Sequence, residues 1–209
     1  MQNTPNKGIK YQMPQPWSKI EKLICDLVIN SSLLSKQRNF QFCSEKNIGT
    51  KIPNNEIIRE FDRLFRGDNI KEKVTIEEYL HRILFQPGLR DQVFLYAGYL
   101  FYKILLTPGI YTDFEESEYK FKLFATCIYI AQKYHLDNNY RCKDVGKVLG
   151  LKPRSINEKE LFIYFRIFRC ELGLKEKSIQ NFKAILKSLP IRLQNLNTKN
   201  ISLNLIFSD

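Results

Sequence analysis

The chain has 209 residues with a net charge of +11, and its 44% apolar content suits one globular core and argues against wholesale disorder. Its longest strongly apolar stretch, 123–131, is far shorter than the roughly 20 residues that cross a bilayer, and the first sixteen residues lack the apolar segment of a secretory signal. We therefore expect an intracellular protein of the nucleus, the cytoplasm or both.

The N-terminal part combines a polar segment with two amphipathic stretches. Residues 1–16 are mostly polar and contain three prolines, which predicts a flexible arm. Over 17–34 and again over 57–65, apolar residues recur with the 3.6-residue period of a helix. Residues 17–73 are therefore expected to form an N-terminal helical extension.

Three helices are predicted in the central part. Thr75 and Glu78 have the spacing of a capping box, which opens a helix that runs to about residue 85. A second helix over 91–106 is apolar nearly all round. A third, over 118–134, has no charge in its middle, so we expect it at the centre of a helical bundle.

A turn and two further helices follow. The spacing predicts a short helix over 141–149 that ends at Gly150. Ser155 and Glu158 have the spacing of a second capping box, which predicts a fifth helix running to about Cys170.

The C-terminal part contains a last amphipathic helix over 175–189, which we expect Pro190 to stop, leaving an Asn-rich tail. The pattern leaves open whether the helices over 17–34 and 175–189 pack on the central helices or dock a partner. Because no convincing run of strands occurs in the sequence, the predicted fold class is all-α.

The five helices between residues 74 and 173 have the order and lengths of a cyclin box, and their sequence resembles single-box cyclins of the yeast phosphate-signalling type. The resemblance is carried by Ile76-Glu-Glu-Tyr-Leu-His-Arg-Ile83, Leu100-Phe-Tyr-Lys-Ile104, Ile130-Ala-Gln-Lys-Tyr134, residues 140–151 and Glu160-Leu-Phe-Ile-Tyr164. It implies a single five-helix box over 74–173 with flanking helices, since 174–209 is too short for a second box and would hold only a C-terminal helix and tail.

Two polar residues carry the functional implication of this resemblance. Cyclins keep a Lys near the end of the third helix and a Glu on the fifth, both of which reach the kinase, and Lys133 and Glu160 match them. One short helix and two turns separate the two residues, so we expect them to approach each other on one face. Tyr134, Tyr164 and Phe168 are the candidates for an apolar contact beside them, although Tyr164 and Phe168 also have the spacing of core residues.

The resemblance implies a non-catalytic partner of a cyclin-dependent protein kinase. A cyclin shifts the kinase population by holding inward the kinase helix that bears a catalytic Glu. Many cyclins also tie an Asp-Arg pair in the second helix to a basic residue in the first, whereas this chain has Tyr102 and Lys103. We expect that ion pair to be missing or rebuilt. The plain alternative for Lys133 and Glu160 is that both are solvated surface charges.

A rival interpretation is a helix-turn-helix that binds DNA. Residues 144–156 combine a short helix, a glycine turn and a new helix, and Lys152, Arg154 and Lys159 would then face phosphates or bases. The net positive charge favours such a partner, although the joint abundance of Lys, Asn and Ile can also reflect a biased genome composition. A cyclin-like box can also serve as a scaffold in a larger nuclear complex.

Catalysis, a cofactor, a metal and a small-molecule substrate are not expected. His81 and His135 lack metal-ligand spacing, and no glycine-rich phosphate loop is present. The five cysteines are scattered without a C-x-x-C pair, which indicates free thiols, and Cys127 lies in the most apolar segment, where a thiol is normally inert.

Overall fold

The computed structural model describes residues 18–31, 55–66, 91–107, 110, 117–135, 141–172 and 175–206. Every regular element in these ranges is helical and none is a strand, which confirms the all-α prediction. In chain order the helices are α1 (Lys19–Ile29), α2 (Asn55–Arg66), α3 (Asp91–Leu105), α4 (Ser117–His135), α5 (Cys142–Leu149), α6 (Pro153–Leu161), a π-helical continuation of α6 (Phe162–Ile167) and α7 (Glu176–Ile206). The arm predicted over 1–16 and the helix predicted over 75–85 lie outside the described residues.

Helix α1 begins with a capping box. The Ser18 hydroxyl accepts a hydrogen bond from the backbone N–H of Glu21 at 3.2 Å, and the Glu21 carboxylate accepts one from the backbone N–H of Ser18 at 2.7 Å. These bonds satisfy amides that no helical carbonyl can reach. The apolar stripe packs on α3, where a Cβ at Gly98 would lie only 3.1 Å from Ile24. The N-terminal helix therefore belongs to the core.

Helices α3 and α4 form the centre of the bundle. Residues 123–131 of α4 are all buried, as their uncharged sequence predicts. The rings of Phe94 and Phe101 on α3 both meet Phe124 edge-on, with centroid distances of 5.4 and 5.7 Å. Edge-to-face packing of this kind is a favourable arrangement of aromatic rings.

Two buried lysines of α4 bind the C-terminal ends of other helices. Lys120 Nζ donates to the carbonyl of Ile29 at the end of α1, and Lys122 Nζ donates to the carbonyl of Phe65 at the end of α2, each at 3.2 Å. The last carbonyls of a helix have no intrahelical donor, and a cation there also complements the helix dipole. The cost of this arrangement is visible at Lys120, where burial lowers the pKa of the ammonium.

Helix α7 departs from its predicted end. Its first half packs on α3, with the Phe182 ring 5.7 Å from Tyr99 and 5.4 Å from Tyr102. The prediction that Pro190 stops the helix is wrong, because α7 continues through Pro190 to Ile206. Leu189 is buried, so packing on the preceding turn holds the backbone helical although proline removes one hydrogen bond. The first half of α7 thus packs on the bundle, as α1 does.

Among the described helices, none is long and apolar enough to cross a membrane.

Candidate functional site

A tight turn positions α6 against α5. Gly150 adopts a left-handed conformation with φ of 64°, and the N–H of Leu151 donates to the carbonyl of Gly146 at 2.9 Å. A Cβ at Gly146 would lie 2.6 Å from the carbonyl oxygen of Leu151, so only glycine permits this approach. The predicted end of the helix at Gly150 is therefore confirmed.

The start of α6 differs from its prediction. Pro153 is the first helical residue and Lys152 is the N-cap, so Ser155 lies inside the helix rather than at its cap. Proline suits the first turn because its φ is already helical and its missing N–H has no partner there. The Ser155 hydroxyl is buried and accepts a hydrogen bond from Lys159 Nζ. The predicted capping box of Ser155 and Glu158 is thus wrong.

Lys133 and Glu160 meet at the junction of α4 and α6. Lys133 Nζ donates to both carboxylate oxygens of Glu160, at 2.8 and 2.9 Å. The expected approach of the two residues on one face is therefore confirmed. The Lys133 side chain is partly exposed and Glu160 is mostly covered, and Lys133 Nζ also lies 4.9 Å from the ring centroid of Tyr129. An ion pair this accessible contributes only about 0 to 1 kcal/mol to stability.

Three exposed apolar side chains lie close in the chain to this ion pair. Tyr134 is 58% exposed, Leu161 54% and Phe165 53%. Tyr134 and Leu161 are the chain neighbours of the paired Lys133 and Glu160, and Phe165 follows Leu161 by four positions. We call Lys133, Tyr134, Glu160, Leu161 and Phe165 the α4–α6 face. Three of these five residues, Lys133, Tyr134 and Glu160, are predicted from the sequence, whereas Leu161 and Phe165 are not.

The π-helical segment explains why the predicted apolar contacts are only partly correct. The N–H of Phe168 donates to the carbonyl of Ile163, five positions earlier, so positions beyond Leu161 rotate relative to an α-helix. Tyr164 is half-buried, with its ring edge-on to Phe165 at 5.2 Å. Phe168 is only 7% exposed and lies 5.0 Å from Lys103 Nζ. Phe168 is therefore a core residue and not a surface contact.

Behind the ion pair, Tyr129 and Cys142 join α4 to the start of α5. Burial, a hydrogen bond with Cys142 and the nearby charge of Glu160 together raise the pKa of the Tyr129 hydroxyl. The Cys142 thiol in turn donates to the carbonyl of Pro153 at 3.1 Å. A tyrosine with a raised pKa stays neutral near pH 7, so the Tyr129 hydroxyl keeps its proton for hydrogen bonding at this junction.

The three basic residues of the rival interpretation have different surroundings. Lys152 is exposed, and Arg154 is almost fully exposed and forms an ion pair with Glu158 at 2.9 Å. Lys159 is only 1% exposed and lies 5.8 Å from the ring centroid of Phe65. The prediction that Lys159 faces phosphates is wrong, because its ammonium group is enclosed by α2 and α6.

The histidine and cysteine positions do not form a metal site in the described part of the chain, where no group of three or more His, Cys, Asp or Glu side chains converges. His135 packs against the ring of Tyr96 with a centroid distance of 3.8 Å. Its Nε2 is buried without a hydrogen-bond partner among the described residues, and burial lowers its pKa. Burial also raises the pKa of the Cys127 thiol, which keeps it protonated. His81 lies outside the described residues.

No protein-family model matches the sequence, and no curated protein is significantly similar to it. The structure has an all-helical fold, an ion pair that joins α4 to α6, and exposed apolar residues close to that pair in the chain.

Proposed function

We propose that the chain is a cyclin-like regulatory subunit that binds and activates a cyclin-dependent protein kinase through the α4–α6 face. The observation that supports this most is the meeting of Lys133 and Glu160, with both carboxylate oxygens bound, close in the chain to exposed apolar side chains. The cyclin resemblance implies a kinase contact for these two residues. Their proximity makes a shared role on one surface physically possible.

The apolar part of the face supplies a reason for a partner to bind. Tyr134, Leu161 and Phe165 each leave more than half of their surface in water. Covering the remaining apolar surface of one such side chain stabilises a complex by about 1 kcal/mol or more. Interfaces commonly place apolar and aromatic anchors of this kind at their centre and polar groups around them.

The polar residues of the face can orient a partner by hydrogen bonds to its backbone. Because Lys133 is partly exposed and its bond to Glu160 is worth little in water, the ammonium can turn toward carbonyl groups at the end of a partner helix. The carboxylate of Glu160 can likewise accept from backbone N–H groups of a partner. A kinase helix held in this way would keep its catalytic Glu inward, which shifts the kinase toward its active state. Such a complex would act inside the cell, in the nucleus or the cytoplasm.

In place of the Asp-Arg pair that many cyclins have in the second helix, this chain has Tyr102 and Lys103, and Lys103 makes a different contact. Lys103 Nζ donates to the carbonyl of Leu172 at 3.2 Å and lies over the rings of Tyr99 and Phe168. This contact ties α3 to the segment that follows the π-helical turn. A cyclin-like arrangement of the helices is thus compatible with the loss of the Asp-Arg pair, since Lys103 makes a different link.

The experiment measures binding of the full chain to a panel of purified cyclin-dependent kinases. Replacing both Lys133 and Glu160 by alanine should weaken kinase binding at least about tenfold, because the directional contacts are lost while the fold changes by no more than about 1 kcal/mol. The matched control replaces an exposed ion pair on a different helix, Asp62 and Arg66 of α2, by alanine. Equal binding of wild type and the Lys133→Ala, Glu160→Ala variant would refute this role for the pair.

A further inference from the structure

A second surface of the protein is strongly basic. Arg141, Lys143, Lys147, Lys152 and Arg154 are all exposed, and we call them the α5–α6 basic face. In the sequence from 141 to 154 the only acidic residue is Asp144. Five positive charges against one negative charge in so short a segment produce a local field that attracts anions.

The fold brings these cations together from two helices. The Cys142 thiol donates to the carbonyl of Pro153 at 3.1 Å, so the first turns of α5 and α6 are in contact. Arg141 and Lys143 flank Cys142 in the chain, while Lys152 and Arg154 flank Pro153. The four cations therefore belong to one region of the surface.

The two helices that carry the cations, α5 and α6, are packed closely against each other. Lys147 lies one helical turn after Lys143, which places both on the same side of α5. The close approach of Gly146 to Leu151 fixes α5 against the turn, and Ile156 of α6 is buried beside Gly146. A rigid set of cations loses less conformational freedom on binding than cations on a mobile loop.

Arg154 remains available although it forms an ion pair. Its side chain is 91% exposed, and its partner Glu158 is about half-exposed. A surface pair of this kind contributes about 0 to 1 kcal/mol, so a phosphate can replace the carboxylate at little cost.

The residue types of the basic face favour one kind of anionic partner over single-stranded nucleic acid and acidic protein segments. No aromatic residue occurs between 141 and 161, so this segment itself supplies no ring on which unpaired bases could stack. Among the side chains that the structure describes between 141 and 158, no large apolar one is exposed as an anchor for an acidic protein segment. Regularly spaced phosphates need neither feature.

We propose that the α5–α6 basic face binds the phosphate backbone of a nucleic-acid duplex. Binding is carried by Arg141, Lys143, Lys147, Lys152 and Arg154. The buried Lys159 takes no part, which distinguishes this surface from the helix-turn-helix interpretation of the sequence. The contacts are to phosphates, so they position the duplex without reading its bases.

The test measures fluorescence anisotropy of labelled DNA and RNA duplexes of about 20 base pairs with the full chain at about 50 mM salt and above. The variant Lys143→Ala, Lys147→Ala, Lys152→Ala should weaken duplex binding at least about tenfold and lower the slope of log Kd against log salt by about 2 to 3. The matched control removes the same charge from three other exposed lysines, by Lys175→Ala, Lys177→Ala and Lys187→Ala.

The control variant should bind duplex nearly as well as wild type. Tighter binding of either duplex over a single strand of equal length supports the proposal and identifies which duplex is bound. Equal weakening by both triple variants, tighter binding of the single strand, or equal binding of polyglutamate would each overturn it. Kinase binding should be unchanged in the Lys143, Lys147 and Lys152 variant, so this test and that of the proposed function can fail independently.

Discussion

Two lysines near the α4–α6 face have opposite surroundings. Lys133 is partly exposed and bound to Glu160, whereas Lys159 is enclosed between α2 and α6. Helical periodicity alone does not separate them, because both belong to helices that carry polar and apolar residues. The burial of Lys159 depends on Phe65, which lies far away in the chain.

Replacing Lys159 by alanine should lower the free energy of unfolding by about 2 to 4 kcal/mol, because a large buried side chain leaves a cavity and the Ser155 hydroxyl loses its donor. Urea denaturation measures the change. The control is Lys152→Ala, an exposed neighbour whose loss should cost less than about 0.5 kcal/mol. Equal, small effects of the two substitutions would mean that Lys159 is accessible to solvent.

His135 gives stability a dependence on pH. Burial lowers its pKa below the ordinary value of 6.5, so the folded chain binds a proton less readily than the unfolded chain. Between the folded-state pKa and 6.5 the unfolded state holds more protons. The contribution of His135 to stability is therefore complete above this window and is lost as the pH falls through it.

The variant His135→Phe keeps a ring against Tyr96 but does not titrate. Wild type should lose more stability than this variant between about pH 7.5 and about pH 5, as measured by urea denaturation at both values. His81 and the carboxylates are present in both proteins, so their contributions cancel in the comparison. A wild type that loses no more than the variant would show that burial does not lower the pKa of His135.

At the scale of elements, helical periodicity predicts most of the described bundle. The helices predicted over 91–106 and 118–134 are found at Asp91–Leu105 and Ser117–His135. Their apolar positions continue for 15 residues or more, which is too long for a single strand and therefore favours a helix. The same reasoning misplaces the start of α6, because a proline after Lys152 supplies a first turn that the Ser155 pattern does not anticipate.

The π-helical turn after α6 limits prediction of the candidate site. Tyr164 and Phe168 follow Glu160 by four and eight positions, a spacing that predicts a shared surface in an α-helix. In the wider π-helical turn, Phe168 instead lies in the core. The sequence does contain a pattern that indicates Leu161 and Phe165. Leu161 and Phe165 continue the charged stripe of Arg154 and Glu158, so an α-helical projection places apolar residues on a solvent face.

Helix α7 tests whether a proline inside a long helix is tolerated. Pro190 removes a hydrogen bond from a helix that continues beyond it. Restoring that bond by Pro190→Ala should stabilise the helix by about 3 kcal/mol, while the freer unfolded chain of the variant offsets about 1 kcal/mol of this gain. The free energy of unfolding should therefore rise by about 2 kcal/mol. Urea denaturation and far-UV circular dichroism measure the change. No gain in stability would indicate that the helix ends at Pro190.

At the level of the whole molecule, one helix carries residues of both candidate surfaces. Helix α6 contributes its first turn to the basic face and its last turn to the α4–α6 face, while the first half of α7 packs on α3. The sequence predicts the all-α class and the approach of Lys133 to Glu160. It does not predict which lysines are enclosed, since this depends on packing between helices that are distant in the chain.

We propose that the α4–α6 face binds a protein kinase, and substitutions of its exposed apolar residues test this binding. The measurement compares kinase affinity of wild type with that of Leu161→Ser, Phe165→Ser by titration calorimetry, with the same panel of purified cyclin-dependent kinases. The control is Ile191→Ser, which changes an apolar residue on α7 that is 64% exposed. We expect the double variant to bind at least about tenfold more weakly and the control to bind like wild type. Wild-type affinity in the double variant, or no binding of wild type to any kinase in the panel, would show that this face does not bind a kinase.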